Sequence, residues 1–218
     1  YKRQVNKELK NSLTKKMNIN IDTITRASKE LIGNIIRTPT IRSQHLSGEI
    51  SGEVFLKLEN LQYTSSFKVR GAYTSITRLK EGQKKMGVIA MSAGNHAQAV
   101  AWWAKKERVN ATIVMPEHAP LFKVMKTKSL GADVILRGRT LNESQTYVSE
   151  LVNDKKLTLI HPYDDSNVVI GQGTLGLEFM GDVKDLDLLV IPIGGGGLIS
   201  GISIAVSYTH LRAHETVS

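Results

Sequence analysis

The stretch Ser65-Ser66-Phe67-Lys68-Val69-Arg70-Gly71-Ala72-Tyr73 decides how this 218-residue chain is read. It follows a strand-like run at residues 53–59 (EVFLKLE) and opens a helix-like one. Backbone N–H groups point outward at such a junction, which suits an anion and disfavours a cation. A lysine placed there is held partly neutral, and neutral lysine condenses with carbonyl groups. An ordinary surface lysine in a turn would carry the same letters, so the rest of the chain has to decide.

Working outward from Lys68, strand-like and helix-like segments alternate. Helices are expected at 22–36 (capped by Asp22), 69–80, 95–108, 123–130, 141–153, 168–180 and 197–206. Strands are expected at 53–59, 87–91, 111–115, 133–136, 157–161 and 186–193. Short, continuously apolar strands alternating with helices predict an α/β protein with parallel sheets flanked by helices.

Composition narrows the function classes. The chain has no cysteine, which excludes disulfides, thiolate catalysis and zinc–thiolate sites. It has neither a run of ~20 apolar residues nor a signal-peptide core, so a cytosolic setting without membrane contact is expected. The net charge of +9 hints at nucleic acid, but residues 1–16 alone supply +5 and the remainder shows no basic stripe with aromatic platforms. A nucleic-acid partner is therefore not expected. Residues 1–16, ahead of Met17, read as a non-native leader, and residues 207–218 as a non-native tail. The natural sequence is expected to be cut near Val206.

Two more segments resemble the Lys68 junction in ending a strand and opening a helix, the place where parallel sheets bind ligands. Ser92-Ala93-Gly94-Asn95-His96-Ala97-Gln98 offers N–H groups, a hydroxyl and an amide in one tight turn. Gly194-Gly195-Gly196-Gly197-Leu198 carries a large entropic cost that makes sense where a bulky anion approaches the backbone. Its spacing matches neither GxGxxG nor GxxxxGK[ST], which disfavours a nicotinamide-dependent dehydrogenase. Each N–H or helix-end contact contributes only ~0.3–1 kcal/mol, so the loop needs a covalent or stacking partner. Together the residues ask for a ligand with a phosphate, an aldehyde and an aromatic ring, and pyridoxal 5'-phosphate has all three.

These motifs, in this order, resemble the fold-type II pyridoxal-phosphate enzymes, specifically the threonine dehydratases. The resemblance also takes in Lys57-Leu58-Glu59-Asn60-Leu61-Gln62 and Ile170-Gly171-Gln172-Gly173-Thr174. It implies that Lys68 binds the cofactor aldehyde and removes the substrate Cα proton. It implies that Phe67 packs near the cofactor ring and that Asn95 bonds the phenolic oxygen. Gly194, Gly195, Gly196, Gly197 and Leu198 would hold the phosphate. Ser92, Ala93, Gly94, Asn95 and His96 would form the substrate loop, and no metal ligand is expected in this stretch.

The implied reaction is dehydration and deamination of L-threonine or L-serine by a cytoplasmic homodimer or homotetramer. Serine racemases carry a serine where this chain has Ala93, and a methyl group cannot move a proton, so dehydration is favoured over racemisation. The expected division is a large cofactor domain, 17–62 plus 158–206, and a small domain, 63–157. The family's ligand to the pyridine nitrogen and its later strands would lie past Val206, so weak or no turnover is expected of this chain alone. A non-catalytic protein binding a phosphate-bearing ligand is the alternative from another class.

Overall fold

The computed structural model describes residues 19–207. Helix α1 (Ile21–Leu31) starts at Asn20, whose Oδ1 accepts from the Thr23 N–H while the Thr23 hydroxyl accepts from the Asn20 N–H. Asn20 is thus the cap, and the expected cap, Asp22, sits inside the first turn where it complements the helix dipole. The helix stops at Leu31, short of the expected 36, as the chain turns through Gly33 with a positive φ.

The expected strand 53–59 shrinks to three residues and is not parallel. Strand β1 (Thr40–Arg42) and strand β2 (Phe55–Lys57) form a separate antiparallel pair, joined through helix α2 (Gln44–Ile50). A 3-10 turn at Glu59–Leu61 then ends the strand. Strand β1 and helix α2 escaped the sequence reading because neither shows a clear apolar period.

Next come helix α3 (Lys68–Thr77), helix α4 (Glu81–Met86), strand β3 (Val88–Met91), helix α5 (Asn95–Lys106) and strand β4 (Ala111–Met115). Helix α6 (Leu121–Ser129), strand β5 (Asp133–Leu136), helix α7 (Leu141–Lys155) and strand β6 (Thr158–Leu159) follow. The last two helices are α8 (Ser166–Asp182) and α9 (Gly197–Ser207). The second sheet is all parallel, in the order β5-β4-β3-β6.

Its two faces explain why the strands read as unbroken apolar runs. Val88, Ala90, Ile113 and Met115 pack with Val69 and Ile76 of α3 and with Val100 and Trp103 of α5. Ile89 and Val114 point the other way, onto Val148 and Leu151 of α7. Helices on both faces bury the central strands β3 and β4 almost throughout, while Leu136 of β5 and Leu159 of β6, at the edges, stay exposed.

Beside this layer, α8 and α9 gather a second apolar cluster of Leu175, Leu189, Ile191, Leu198, Ile202 and Val206, joined by Phe67. Close backbone approach holds it to α3. A Cβ on Gly171 would lie 2.6 Å from Gly71 Cα, and one on Gly173 would lie 2.8 Å from Gly201 O. The helical glycines are therefore crossing points between helices.

The segment 186–193 was expected to be a strand. Leu189 and Ile191 are buried while Leu188 and Val190 are exposed, the alternation of a strand with one dry face. No strand among the described residues pairs with it, so it lies outside both sheets. Ser207, expected to open a foreign tail, is the last residue of α9. The expected leader 1–16, Met17 and residues 208–218 lie outside the described residues.

A buried ionic network fixes the start of α3 to its surroundings. Arg70 donates to both oxygens of Glu59 at 2.8 and 2.7 Å and to Glu178 Oε2 at 2.9 Å. Lys57 Nζ lies 2.7 Å from both Glu178 and Asp182 and donates to Thr38 O, and Arg37 also pairs with Asp182. Three cations meet three carboxylates, so the charges balance.

Candidate active site

Lys68 is the first residue of α3, with Phe67 as its N-cap and no side chain closing that end. Its Nζ donates to Pro162 O at 2.7 Å and stands 5.4 Å from the Phe67 ring centroid. Burial holds the amine below the ordinary lysine value. An amine that loses its proton easily is the form that attacks a carbonyl carbon.

The second motif meets the same connector. His96, buried in the first turn of α5, places Nε2 2.9 Å from Ile160 O. A carbonyl only accepts, so Nε2 carries the proton and Nδ1 keeps its lone pair. Desolvation pushes the pKa of His96 down to about 4; the bond to Ile160 O opposes that shift and the Lys68 charge adds to it. His96 is neutral at physiological pH. Ahead of it, Ser92 Oγ accepts from Gly94 N at 3.1 Å, Ala93 is half-buried, and Asn95 is exposed.

The glycine loop completes the convergence. A Cβ on Gly195 would fall 2.1 Å from Tyr163 Cδ1, and one on Gly197 would lie 2.9 Å from Tyr163 Cα. Tyr163 therefore abuts the loop directly, and only glycine fits at 195 and 197. The outward side is different: a Cβ on Gly194 or Gly196 would meet nothing within 4 Å, and Gly196 has φ +87°. Among the described residues, no acceptor takes the N–H of Gly194, Gly195 or Gly196. The loop is an open cradle of donors at the start of α9. Leu198 turns the other way, buried in the second cluster.

The three motifs thus meet at residues 160–163, just past β6, which the sequence reading left out of the site. His161 Nδ1 accepts from Asp164 N at 2.8 Å, and its ring meets Tyr163 edge-on at 4.6 Å between centroids. The signal was available: this connector follows a strand of the same parallel sheet and occupies its carboxyl edge, where ligands bind.

The residues fit a phosphate-bearing aldehyde. The cradle supplies unclaimed donors, Lys68 supplies a desolvated amine, and buried polar atoms nearby in sequence await partners. Among the described residues, Thr64 Oγ1, Ser66 Oγ, His96 Nδ1 and Gln98 Oε1 are buried without a hydrogen bond. Such atoms are costly unless something bonds them. Two clefts lie elsewhere: one of about 380 Å³ beside Arg37, Arg70 and Glu178, and one of about 420 Å³ beside Glu117, Arg137 and Glu143. Neither includes Lys68. The first is lined by the balanced ionic network, so we place the site at the convergence of motifs rather than in these clefts.

An α/β fold with a desolvated lysine and a glycine cradle, each at a helix start and both against one connector, defines a class. Residues 31–215 match the family model of the pyridoxal-phosphate dependent enzymes, and the chain belongs to that family. It is 49% identical over 197 residues to the L-threonine dehydratase catabolic TdcB of Staphylococcus aureus, covering 90% of this chain and 57% of that protein. Maize serine racemase is similar in structure, with a TM-score of 0.87 at 34% identity, covering 90% of this chain and 60% of that one. The processed form of threonine deaminase isoform 2 from Solanum lycopersicum gives 0.83 at 34% identity, covering 91% and 57%. The chain thus spans little more than half the length of the curated relatives it matches. Membership in the family makes pyridoxal phosphate its cofactor.

Proposed function

We propose that this chain carries the lysine-bearing part of a threonine dehydratase, which converts L-threonine to 2-oxobutanoate and ammonia, and L-serine to pyruvate and ammonia. The supporting observation is the meeting of Lys68, His96 and the glycine cradle at residues 160–163. The identity to a threonine dehydratase supports the choice of reaction.

In this reading Lys68 holds the aldehyde carbon of the cofactor, and its low proton affinity keeps the amine ready for that bond. Displaced by substrate, the same amine takes the Cα proton. The cofactor, when bound, accepts the electron pair left at Cα and so lets the β-hydroxyl leave. The N–H groups of Gly194, Gly195, Gly196, Gly197 and Leu198 hold the phosphate, aided by the α9 dipole. Phe67 packs near the ring, and Asn95 bonds the phenolic oxygen. Ser92, Ala93, Gly94, Asn95 and His96 bind the substrate carboxylate. The β-hydroxyl takes up a proton, matching the one removed from Cα, and leaves as water; one water is regained when the released enamine hydrolyses, so threonine yields 2-oxobutanoate and ammonia in balance.

The fold likeness to a serine racemase favours a second reading, which Ala93 opposes. Its methyl group gives no proton donor on the face away from Lys68, so chemistry is confined to one face. The word "catabolic" in the relative's name supports threonine breakdown rather than isoleucine biosynthesis. A cytoplasmic homodimer or homotetramer completes the proposal. We further propose a large cofactor domain built from 17–62 and the residues beyond β6 up to 206. The small domain is 63–157, to which β6 is added because it pairs with β3.

The test is to incubate the chain with pyridoxal phosphate and L-serine in D2O. Slow release of pyruvate, without D-serine, is expected. D-serine would favour the racemase reading, and phosphate binding with no adduct at Lys68 would favour a non-catalytic binder.

A further inference from the structure

Two consecutive tryptophans of α5 grip the chain on either side of Lys68, and the proposed reaction assigns them no part. Trp103 is buried, and its indole N–H donates to Val69 O at 2.9 Å, one residue past the lysine. Its ring meets Tyr73 of α3 edge-on, with centroids 4.7 Å apart. Trp102 stacks on Tyr63, in the segment leading to Lys68, at 4.6 Å and 28°. Lys106 Nζ caps this stack 4.1 Å from the Trp102 centroid.

The two helices joined here are the two that matter. Helix α5 begins with Asn95 and His96, and α3 begins with Lys68. Helices transmit position along their length, so a bond between them fixes one start against the other. Val69 lies inside α3, where its carbonyl faces an i+4 N–H, so the indole bond is not needed to satisfy that oxygen. It satisfies the buried indole N–H and sets the spacing of the helices.

We propose that Trp103 is a positioning residue for Lys68: its N–H, bonded to Val69 O, sets the first turn of α3 against the loop that opens α5. The proposal rests on reading Lys68 as the cofactor-binding amine. Lys68 acts electrostatically with His96 from α5 and with His161 from the connector after β6. Arg70, on its own helix, is engaged with Glu59 and Glu178. Trp103 carries no charge, so its influence on the amine is geometric. Slack in the first turn admits water to Lys68 and relieves the desolvation that lowers its proton affinity.

The test reads the amine directly. Wild type, Trp103→Phe and Trp102→Phe are treated with pyridoxal phosphate and borohydride over a range of pH, and trapping at Lys68 is counted by peptide mass spectrometry. Circular dichroism reports folding alongside. Wild-type Lys68 is expected to be trapped at a lower pH than exposed lysines. Trp103→Phe should raise its midpoint by about one pH unit, a roughly tenfold loss of neutral amine at a fixed lower pH, while Trp102→Phe leaves it in place. An unchanged midpoint in folded Trp103→Phe overturns the proposal. Failure to trap wild-type Lys68 while other lysines react overturns the reading of Lys68 itself, and the proposal with it. If Trp103→Phe does not fold, benzothienylalanine in place of both tryptophans, the only two in the chain, keeps ring shape and removes the N–H. The same shift is then expected, and its absence overturns the proposal.

Discussion

Lys68 Nζ donates a 2.7 Å hydrogen bond to Pro162 O, joining the first turn of α3 to the connector that follows β6. Ile160 receives His96 and Tyr163 packs on the glycine loop in that same connector. Four residues thus organise motifs that are spread over more than a hundred positions.

The cradle predicts opposite behaviour at neighbouring glycines. Gly194→Ala adds a methyl group into open space, so thermal stability should hold while affinity for pyridoxal phosphate falls by roughly tenfold, the worth of ~1.4 kcal/mol. Gly195→Ala drives a methyl into the Tyr163 ring and should lower the melting temperature. Adding Tyr163→Ala should recover part of that loss. Calorimetric melting and cofactor titration of the four proteins check this.

His96 sets a pH dependence. Its folded pKa, about 4, lies below its ordinary 6.5, so the unfolded chain binds more protons between those values. Stability is therefore full above pH 6.5 and declines as the pH falls toward 4, by about 3 kcal/mol in total. Lys68 acts with the same sign in a higher window, below 10.5. Urea unfolding at pH 7, 6 and 5 should show the decline, and His96→Gln should flatten it.

The ionic network predicts a large cost for a small change. Glu59→Gln leaves the buried Arg70 with Glu178 as its remaining carboxylate. Removing one partner of a buried pair costs on the order of 3–5 kcal/mol. Denaturant titration should show a loss of that size, against less than ~1 kcal/mol for Glu53→Gln, whose pair with Arg42 is exposed.

How far the sequence carried the reading depended on where each partner lay. The apolar runs of β3, β4 and β5 announced themselves because both faces of each strand are covered by helices. The helix starts at Lys68, Asn95 and the glycine loop were legible because such ends carry distinctive residues. The connector 160–163 was not, since Pro162 contributes only a carbonyl and Tyr163 acts by shape, neither of which marks a sequence. The segment 186–193 misled for a related reason: its alternation is that of a strand, but a ladder needs a neighbour, and pairing is not encoded in one segment alone. Asn20 was not read as the cap because its reciprocal bond with Thr23 depends on geometry.

The helical glycines offer a control. Gly201→Ala places a methyl group 2.4 Å from Val169 O and 2.6 Å from Gly173 N, both backbone atoms that cannot swing aside. It should destabilise by at least ~1–3 kcal/mol. Gly48→Ala and Gly82→Ala face open space in α2 and α4 and should each be neutral or stabilising by up to ~1 kcal/mol. Thermal melts of the three variants separate crossing points from incidental glycines.

The most direct test is the visible absorbance of the chain titrated with pyridoxal phosphate, wild type against Lys68→Ala. A lysine-bound cofactor absorbs at longer wavelength than the free aldehyde. The wild type should show this band, and Lys68→Ala, folded by circular dichroism, should lose it while phosphate still competes for the cradle. An equal band in both proteins would contradict the assignment of Lys68.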